Sequence, residues 1–248
     1  MIEVRDLVKS FAGPKGTFRA VDGVSFQVSA GEVYGLLGPN GAGKTTTLRM
    51  MATLFRPTSG TATVNGFDIV RESARVRAEI GFLSGDMGTY ARLSPREMLN
   101  FFGKLHGMNS ARLAKRIHEL FGLLDMNSFA DVRGDKLSTG MKQKAAIARS
   151  MLHDPPVLIL DEPTAGLDVP TARVVEAAVL DAKRSGKCVL YSTHVMEEAE
   201  YLCDRIGVIS GGKLRAEGTM EELREQTGKQ RLREVFLDLL GLASGRAA

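Results

Sequence analysis

The run Gly38-Pro39-Asn40-Gly41-Ala42-Gly43-Lys44-Thr45 has the spacing G-x-x-x-x-G-K-[ST]. It stands between an apolar stretch, Val33-Tyr34-Gly35-Leu36-Leu37, and a predicted helix over Thr45–Phe55. A strand that passes through a glycine-rich loop into a helix is one βα unit of a parallel sheet, so this segment alone restricts the chain to α/β architectures. The glycines have a physical purpose. Backbone free of side chains can wrap a phosphate with several N–H groups pointing inward, and the helix N-terminus adds its partial positive charge. Lys44 is placed to reach the β- and γ-phosphates of a nucleotide and the Thr45 hydroxyl to ligate magnesium. A purely structural glycine turn is the competing reading, and the strand and helix on either side weigh against it.

The 248 residues are 44% hydrophobic and 25% charged, the composition of an ordinary globular protein with room for a sizeable core. No apolar run approaches the roughly 18 residues of a membrane span, and Met1-Ile2-Glu3-Val4-Arg5-Asp6 lacks the layout of a signal peptide, so a cytoplasmic chain is expected. The net charge of +4 suits a polyanionic ligand or an anionic membrane surface without choosing between them. Cys188 and Cys203 are too far apart for a C-x-x-C motif and are expected as buried reduced thiols; the four histidines offer no zinc-binding spacing.

Alternation of apolar residues places strands at Ile2-Val4-Leu7 and Val21-Val24-Phe26-Val28, joined by a turn at Gly13-Pro14-Lys15-Gly16. From about residue 94 to 153 the pattern is helical, opening on Ser94-Pro95-Arg96-Glu97, a capping box with proline in the first turn. Met98, Leu99, Phe101, Phe102, Leu105 and His106 then recur at three- to four-residue spacing. Strands return at 157–161, 188–192 and 205–210, so the helical block reads as an insertion within one α/β core. Thr219-Met220-Glu221-Glu222 caps another helix, and Leu232 to Leu242 reads as amphipathic.

Val157-Leu158-Ile159-Leu160-Asp161-Glu162 is four aliphatics ending in two acids, the pattern of a parallel strand buried on both faces. Ligands of open α/β sheets bind at the carboxyl ends of such strands, which puts Asp161 where a metal beside the phosphates would lie and Glu162 where a base would polarise a water. Two exposed acids closing a strand would be the bland alternative.

Two further segments, Leu137-Ser138-Thr139-Gly140-Met141-Lys142-Gln143 and Ser192-Thr193-His194, complete an ordered set with the turn Gly166-Leu167-Asp168. In this order the sequence resembles the ATP-binding cassette (ABC) family over residues 1 to 218. The resemblance implies a P-loop NTPase (RecA-like) core at 1–85 and 154–218, with N-terminal antiparallel strands and an inserted helical subdomain at about 86–153; the helical pattern after residue 218 reads as a C-terminal extension at 219–248. The resemblance implies an ATPase with ATP and Mg2+ as cofactors, in which two cassettes, expected as a homodimer, pack head to tail. One chain then supplies Gly38, Pro39, Asn40, Gly41, Ala42, Gly43, Lys44, Thr45 and Thr46, with Phe11 stacking on adenine and Phe18 as competitor for that role. The other supplies Ser138 and the Gly140 N–H to the γ-phosphate. Glu162 and His194 are the implied catalytic pair, Thr45 and Asp161 the implied metal ligands. For Ser138 an ordinary helix cap, and for either phenylalanine strand packing, are the simpler roles.

The sequence departs from the family pattern at Thr139 and Met141, and where a glutamine is usual it reads Ile80-Gly81-Phe82-Leu83-Ser84-Gly85-Asp86. Asp86, a hard oxygen ligand at that junction, is the expected substitute, a turn aspartate being the alternative. The variant phrases resemble the bacterial exporter branch that includes sodium-extrusion subunits. A separate membrane permease is therefore the implied partner, docking near Asp86 to Phe102 through Met87, Tyr90 and Leu93 unless these are core. No nucleic acid is expected, and the implied place is peripheral, on the cytoplasmic face of the inner membrane. A cassette ATPase outside transport is the alternative; a GTPase would want an N-K-x-D segment, which this chain lacks.

Overall fold

The computed structural model describes residues 1–13, 16–85 and 90–241. A long hairpin, β1 (Ile2–Gly13) and β2 (Gly16–Val28), precedes β3 (Val33–Leu37), which leads into α1 (Lys44–Met51). Next come β4 (Ser59–Val64), β5 (Phe67–Asp68), α2 (Ser73–Glu79) and β6 (Ile80–Leu83). The helical block contains α3 (Pro95–Leu105), α4 (Ser110–Leu123) and α5 (Thr139–Met151). It returns to β7 (Val157–Asp161), α6 (Val169–Arg184), β8 (Cys188–Thr193), α7 (Met196–Leu202), the hairpin β9 (Arg205–Ser210) and β10 (Lys213–Gly218), then α8 (Met220–Thr227) and α9 (Leu232–Leu239).

The strands form two sheets. One is antiparallel, in the order β2-β1-β4-β5; the other runs β10-β9-β3-β8-β7-β6, parallel except for β10 at its edge. All five residues of β7 are buried, and their alternation explains why. Val157 and Ile159 pack with the antiparallel sheet and α1, whereas Leu158 and Leu160 pack with the helical block. A strand covered on both faces must be apolar at every position, as this one is until Asp161. Register then brings the ends of three strands level: Asp161 pairs with Ser192, and Leu37 with Thr193.

The capping box forms as expected, with the Glu97 N–H donating to Ser94 Oγ and the Ser94 N–H donating to Glu97 Oε2 at 2.9 Å. Of the periodic residues of α3, Met98 and Leu99 are buried, but Phe101 and Leu105 face outward. The expected helix to Phe55 ends at Met51, because Thr53 adopts a left-handed backbone and the Leu54 N–H donates to the Arg49 carbonyl. β10 has no counterpart in the sequence reading. Its alternation is muted by Lys213, Arg215 and Glu217 on an edge, and the better signal was Gly211-Gly212, whose left-handed pair makes the hairpin turn. Helix α9 ends three residues before Leu242, and Pro14, Lys15 and Leu242 lie outside the described residues. Cys188 is buried, which pushes its thiol up to about 12, and Cys203 is half-buried with its thiol also raised by burial; both are free.

Where α3, α5 and β6 meet, the rings of His106 and His153 stack in parallel, 4.1 Å apart, and His153 Nε2 lies 3.1 Å from the Ile80 carbonyl. Nδ1 of His153 is buried without a partner. Burial first, then the neighbouring His106, pushes the His153 pKa down to about 4, with Lys187 lowering it and Asp154 and the Ile80 carbonyl opposing. The unfolded chain therefore takes up this proton nearer pH 6.5 while the folded one does so near 4, so stability is full above that window and falls as pH drops through it. Between pH 7 and 5 the urea midpoint should fall by the equivalent of about 1–2 kcal/mol, and His153→Phe should flatten that slope.

Candidate active site

The level ends of β3, β7 and β8 bring the loop after each strand to one edge of the sheet. After β3, the loop turns back at Gly43, whose φ of 109° is left-handed and whose absent side chain would otherwise press on the Ala20 carbonyl. Lys44 opens α1, and its side chain is only 4% exposed, so the ammonium is held within the loop. It donates to the carbonyls of Gly38 at 2.7 Å and Pro39 at 3.2 Å and lies 3.2 Å from Glu162 Oε1. Thr45 Oγ1 donates to Asp161 Oδ1 at 3.1 Å, and the same carboxylate oxygen accepts from Ser192 Oγ at 2.6 Å.

A cleft of about 270 Å³ lies over this loop, lined by Phe11, Phe18, Ala20, the segment Pro39 to Thr46, and Glu162. Every phosphate-loop residue expected from the sequence is therefore together, with Gly38 reaching the site through its carbonyl. Phe11 and Phe18 face each other across the hairpin in register, rings 5.9 Å apart. Phe11 is half-buried, edge-on to Phe55 at 5.5 Å with the Lys9 ammonium over it, whereas Phe18 is 55% exposed. Phe18 thus offers the freer ring and Phe11 the wall behind it.

Glu162 belongs to two clefts. On the far side of its carboxylate a larger cleft of about 510 Å³ contains His194, whose Nδ1 is 3.1 Å from Glu162 Oε2. One carboxylate oxygen thus meets Lys44 and the other His194. The backbone of Glu162 has a φ of 47°, a left-handed conformation costly for a residue with a Cβ. Its N–H is taken by Ser192 twice, through the carbonyl and the hydroxyl, both at 3.1 Å. Ser192 therefore ties both acids, yet the sequence reading gave it no role. Its signal was available: a polar residue in an otherwise buried strand, level with Asp161.

Ser138 and Gly140 are not in either cleft among the described residues. Ser138 caps α5, accepting from the Met141 N–H at 3.2 Å, and Gly140 lies against Thr171 of α6. Gln143, one turn on, donates to the Pro163 carbonyl at 2.7 Å and ties this helix to the Glu162 turn. Asp86, Met87 and the expected magnesium role of Asp86 lie outside the described residues. The Thr45 hydroxyl and the Asp161 carboxylate, 3.1 Å apart beside the loop, are hard oxygen donors that fit magnesium with phosphate and water completing its shell, and Ser192 fixes the carboxylate from behind. No described helix is long and apolar enough to cross a membrane.

Comparison with known proteins agrees with this geometry. The ABC transporter family profile matches residues 21–165. The chain is 40% identical over 241 residues to the ABC transporter ATP-binding protein NatA of Bacillus subtilis (strain 168), covering 97% of this chain and 98% of that protein. It is 42% identical over 225 residues to the daunorubicin resistance ATP-binding protein DrrA3 of Streptomyces coeruleorubidus, covering 89% of this chain and 70% of that one. A solved structure of the ATP-binding subunit of an ABC transporter superposes with a TM-score of 0.88 at 28% identity, over 97% of this chain and 99% of that chain. With a phosphate loop, two strand-end acids and a histidine gathered on a parallel sheet, and with these relatives, the chain belongs to the ATP-binding cassette family as an ATP-hydrolysing subunit of an ABC transporter.

Proposed function

We propose that this subunit energises a separate membrane permease of an exporter, working as a head-to-tail pair of cassettes at the cytoplasmic face of the membrane. The single observation that carries the chemistry is Glu162 held between Lys44 and His194. In this reading the phosphate loop binds the triphosphate and Lys44 exchanges its loop carbonyls for β- and γ-phosphate oxygens. Thr45 and Asp161 would hold magnesium, which would supply neutralisation of the phosphate charge. Glu162 accepts a proton from the attacking water, and His194 orients that carboxylate and donates toward the γ-phosphate.

The place of Ser138 and Gly140, outside their own chain's clefts and at the start of α5, supports their acting on the partner's nucleotide. Exposed Tyr90, Phe101 and Leu105 on the helical block supply an apolar surface suited to a permease helix. Export fits the relatives, one of which is named for drug resistance, and sodium is the cargo that goes with the branch that the segment Leu137 to Gln143 resembles. The test is complementation. Ser138→Arg and Lys44→Ala chains, each expected to be inactive alone, should recover part of the parental ATPase activity when mixed, since one intact composite site forms in the mixed pair. No recovery in a proven heterodimer would mean a site contained within one chain.

A further inference from the structure

The 510 Å³ cleft contains a carboxylate that the proposed chemistry does not use. Glu198, on the first turns of α7, accepts three hydroxyl hydrogen bonds. Thr164 Oγ1 donates to its Oε1 at 2.6 Å, while Thr193 Oγ1 at 2.8 Å and the Tyr191 hydroxyl at 3.1 Å donate to its Oε2. Thr164 and Tyr191 also meet each other at 3.3 Å. All three donors are buried, at 7%, 0% and 1% exposure for Thr164, Tyr191 and Thr193. Burial and the charge of Glu198 push the Tyr191 hydroxyl well above its ordinary pKa, so it remains a donor.

These donors come from the two segments that carry the catalytic pair. Thr164 lies two residues after Glu162 in the turn where the Ala165 N–H donates to the Glu162 carbonyl. Thr193 immediately precedes His194, and its hydroxyl also accepts from the Val195 N–H at 2.9 Å. Strand alternation explains the division of labour at the end of β8. Ser192 points to Asp161 and the Glu162 N–H, while Tyr191 and Thr193 point the opposite way, to Glu198. Without Glu198 the Glu162 turn would retain the Ser192 and Gln143 contacts but lose the one made through Thr164 to the His194 segment, and with it the fixed spacing to His194.

We propose that Glu198 is a positioning residue for hydrolysis, a half-buried acceptor of three buried hydroxyls that locks the Glu162 turn and the His194 segment to one another. This rests on the roles given above to Glu162 and His194. Its three hydrogen bonds are to the hydroxyls of Thr164, Tyr191 and Thr193, and the phosphate loop is met only by the Thr193 carbonyl, at the Gly38 N–H, a backbone bond that Glu198 does not make, so nucleotide affinity and turnover should separate when it is removed. A carboxylate-to-amide change keeps one acceptor oxygen and an NH2 that hydroxyls can accept, and so retains a bridge.

The experiment measures kcat, KM for ATP and affinity for a fluorescent ATP analogue in the full chain for Glu198→Ala, Glu198→Gln and Thr164→Val, with Glu162→Gln alongside. Glu198→Ala should lower kcat by about 10- to 100-fold with analogue affinity within about twofold of the parent. Glu198→Gln should recover most of that loss, and Thr164→Val should show an intermediate loss of kcat. A kcat within twofold of the parent in Glu198→Ala, or in Thr164→Val should the alanine variant not fold, overturns the proposal. So does a loss in which kcat and analogue affinity fall together. If Glu162→Gln itself still hydrolyses ATP, it is the assignment of the base that fails; if it is inactive while Glu198→Ala is not, only the positioning role does.

Discussion

Lys44→Ala should bind ATP at least about 100-fold more weakly than the parent, with hydrolysis lost. The ammonium is buried and makes three contacts, two to loop carbonyls and one to Glu162, so it arrives at the phosphates already oriented and largely desolvated. Truncation removes charge-assisted hydrogen bonds worth about 1.5–3 kcal/mol each and leaves Glu162 facing the phosphates without its cation. Lys44→Arg should not rescue binding, because a planar fork cannot occupy the volume between Gly38 and Pro39 that a compact ammonium fills. Equilibrium titration of a fluorescent ATP analogue decides it, and an unchanged affinity in Lys44→Ala would remove the phosphate-loop assignment.

Glu162→Gln should do the opposite, keeping ATP affinity near that of the parent while lowering kcat by at least about 100-fold, in the range at which loss of a positioned general base is felt. The amide keeps size and can still meet Lys44 through its oxygen, but it cannot take a proton from water. Unhydrolysed ATP then remains between the two cassettes, so size-exclusion chromatography with ATP and magnesium should give a dimer where the parent elutes mainly as monomer. A variant that stays monomeric with ATP bound would contradict the sandwiched site.

Much of this was legible in the sequence because it depends on local rules. The phosphate loop is a glycine-and-lysine spacing, Asp161 and Glu162 end an unbroken aliphatic run, and Ser94 and Thr219 cap helices with glutamates three residues on. What sequence could not supply was which distant side chains meet. Ser192 and Glu198 matter through contacts 31 and 34 residues away along the chain, set by the register of β7 with β8 and by the packing of α7. The choice between Phe11 and Phe18 was open for a related reason: they are opposite one another in a hairpin, and what distinguishes them is the packing of Phe55 and the Lys9 ammonium on Phe11, which leaves Phe18 the more exposed ring.

The left-handed backbone at Glu162 sets folding and turnover against each other at one residue. Glycine would adopt that conformation without the roughly 1–2 kcal/mol that a Cβ costs there. A library selected for thermal robustness alone would keep Glu162 only as far as its contacts with Lys44 and His194 offset that backbone cost, so any effort to harden this subunit has to screen for hydrolysis in the same round.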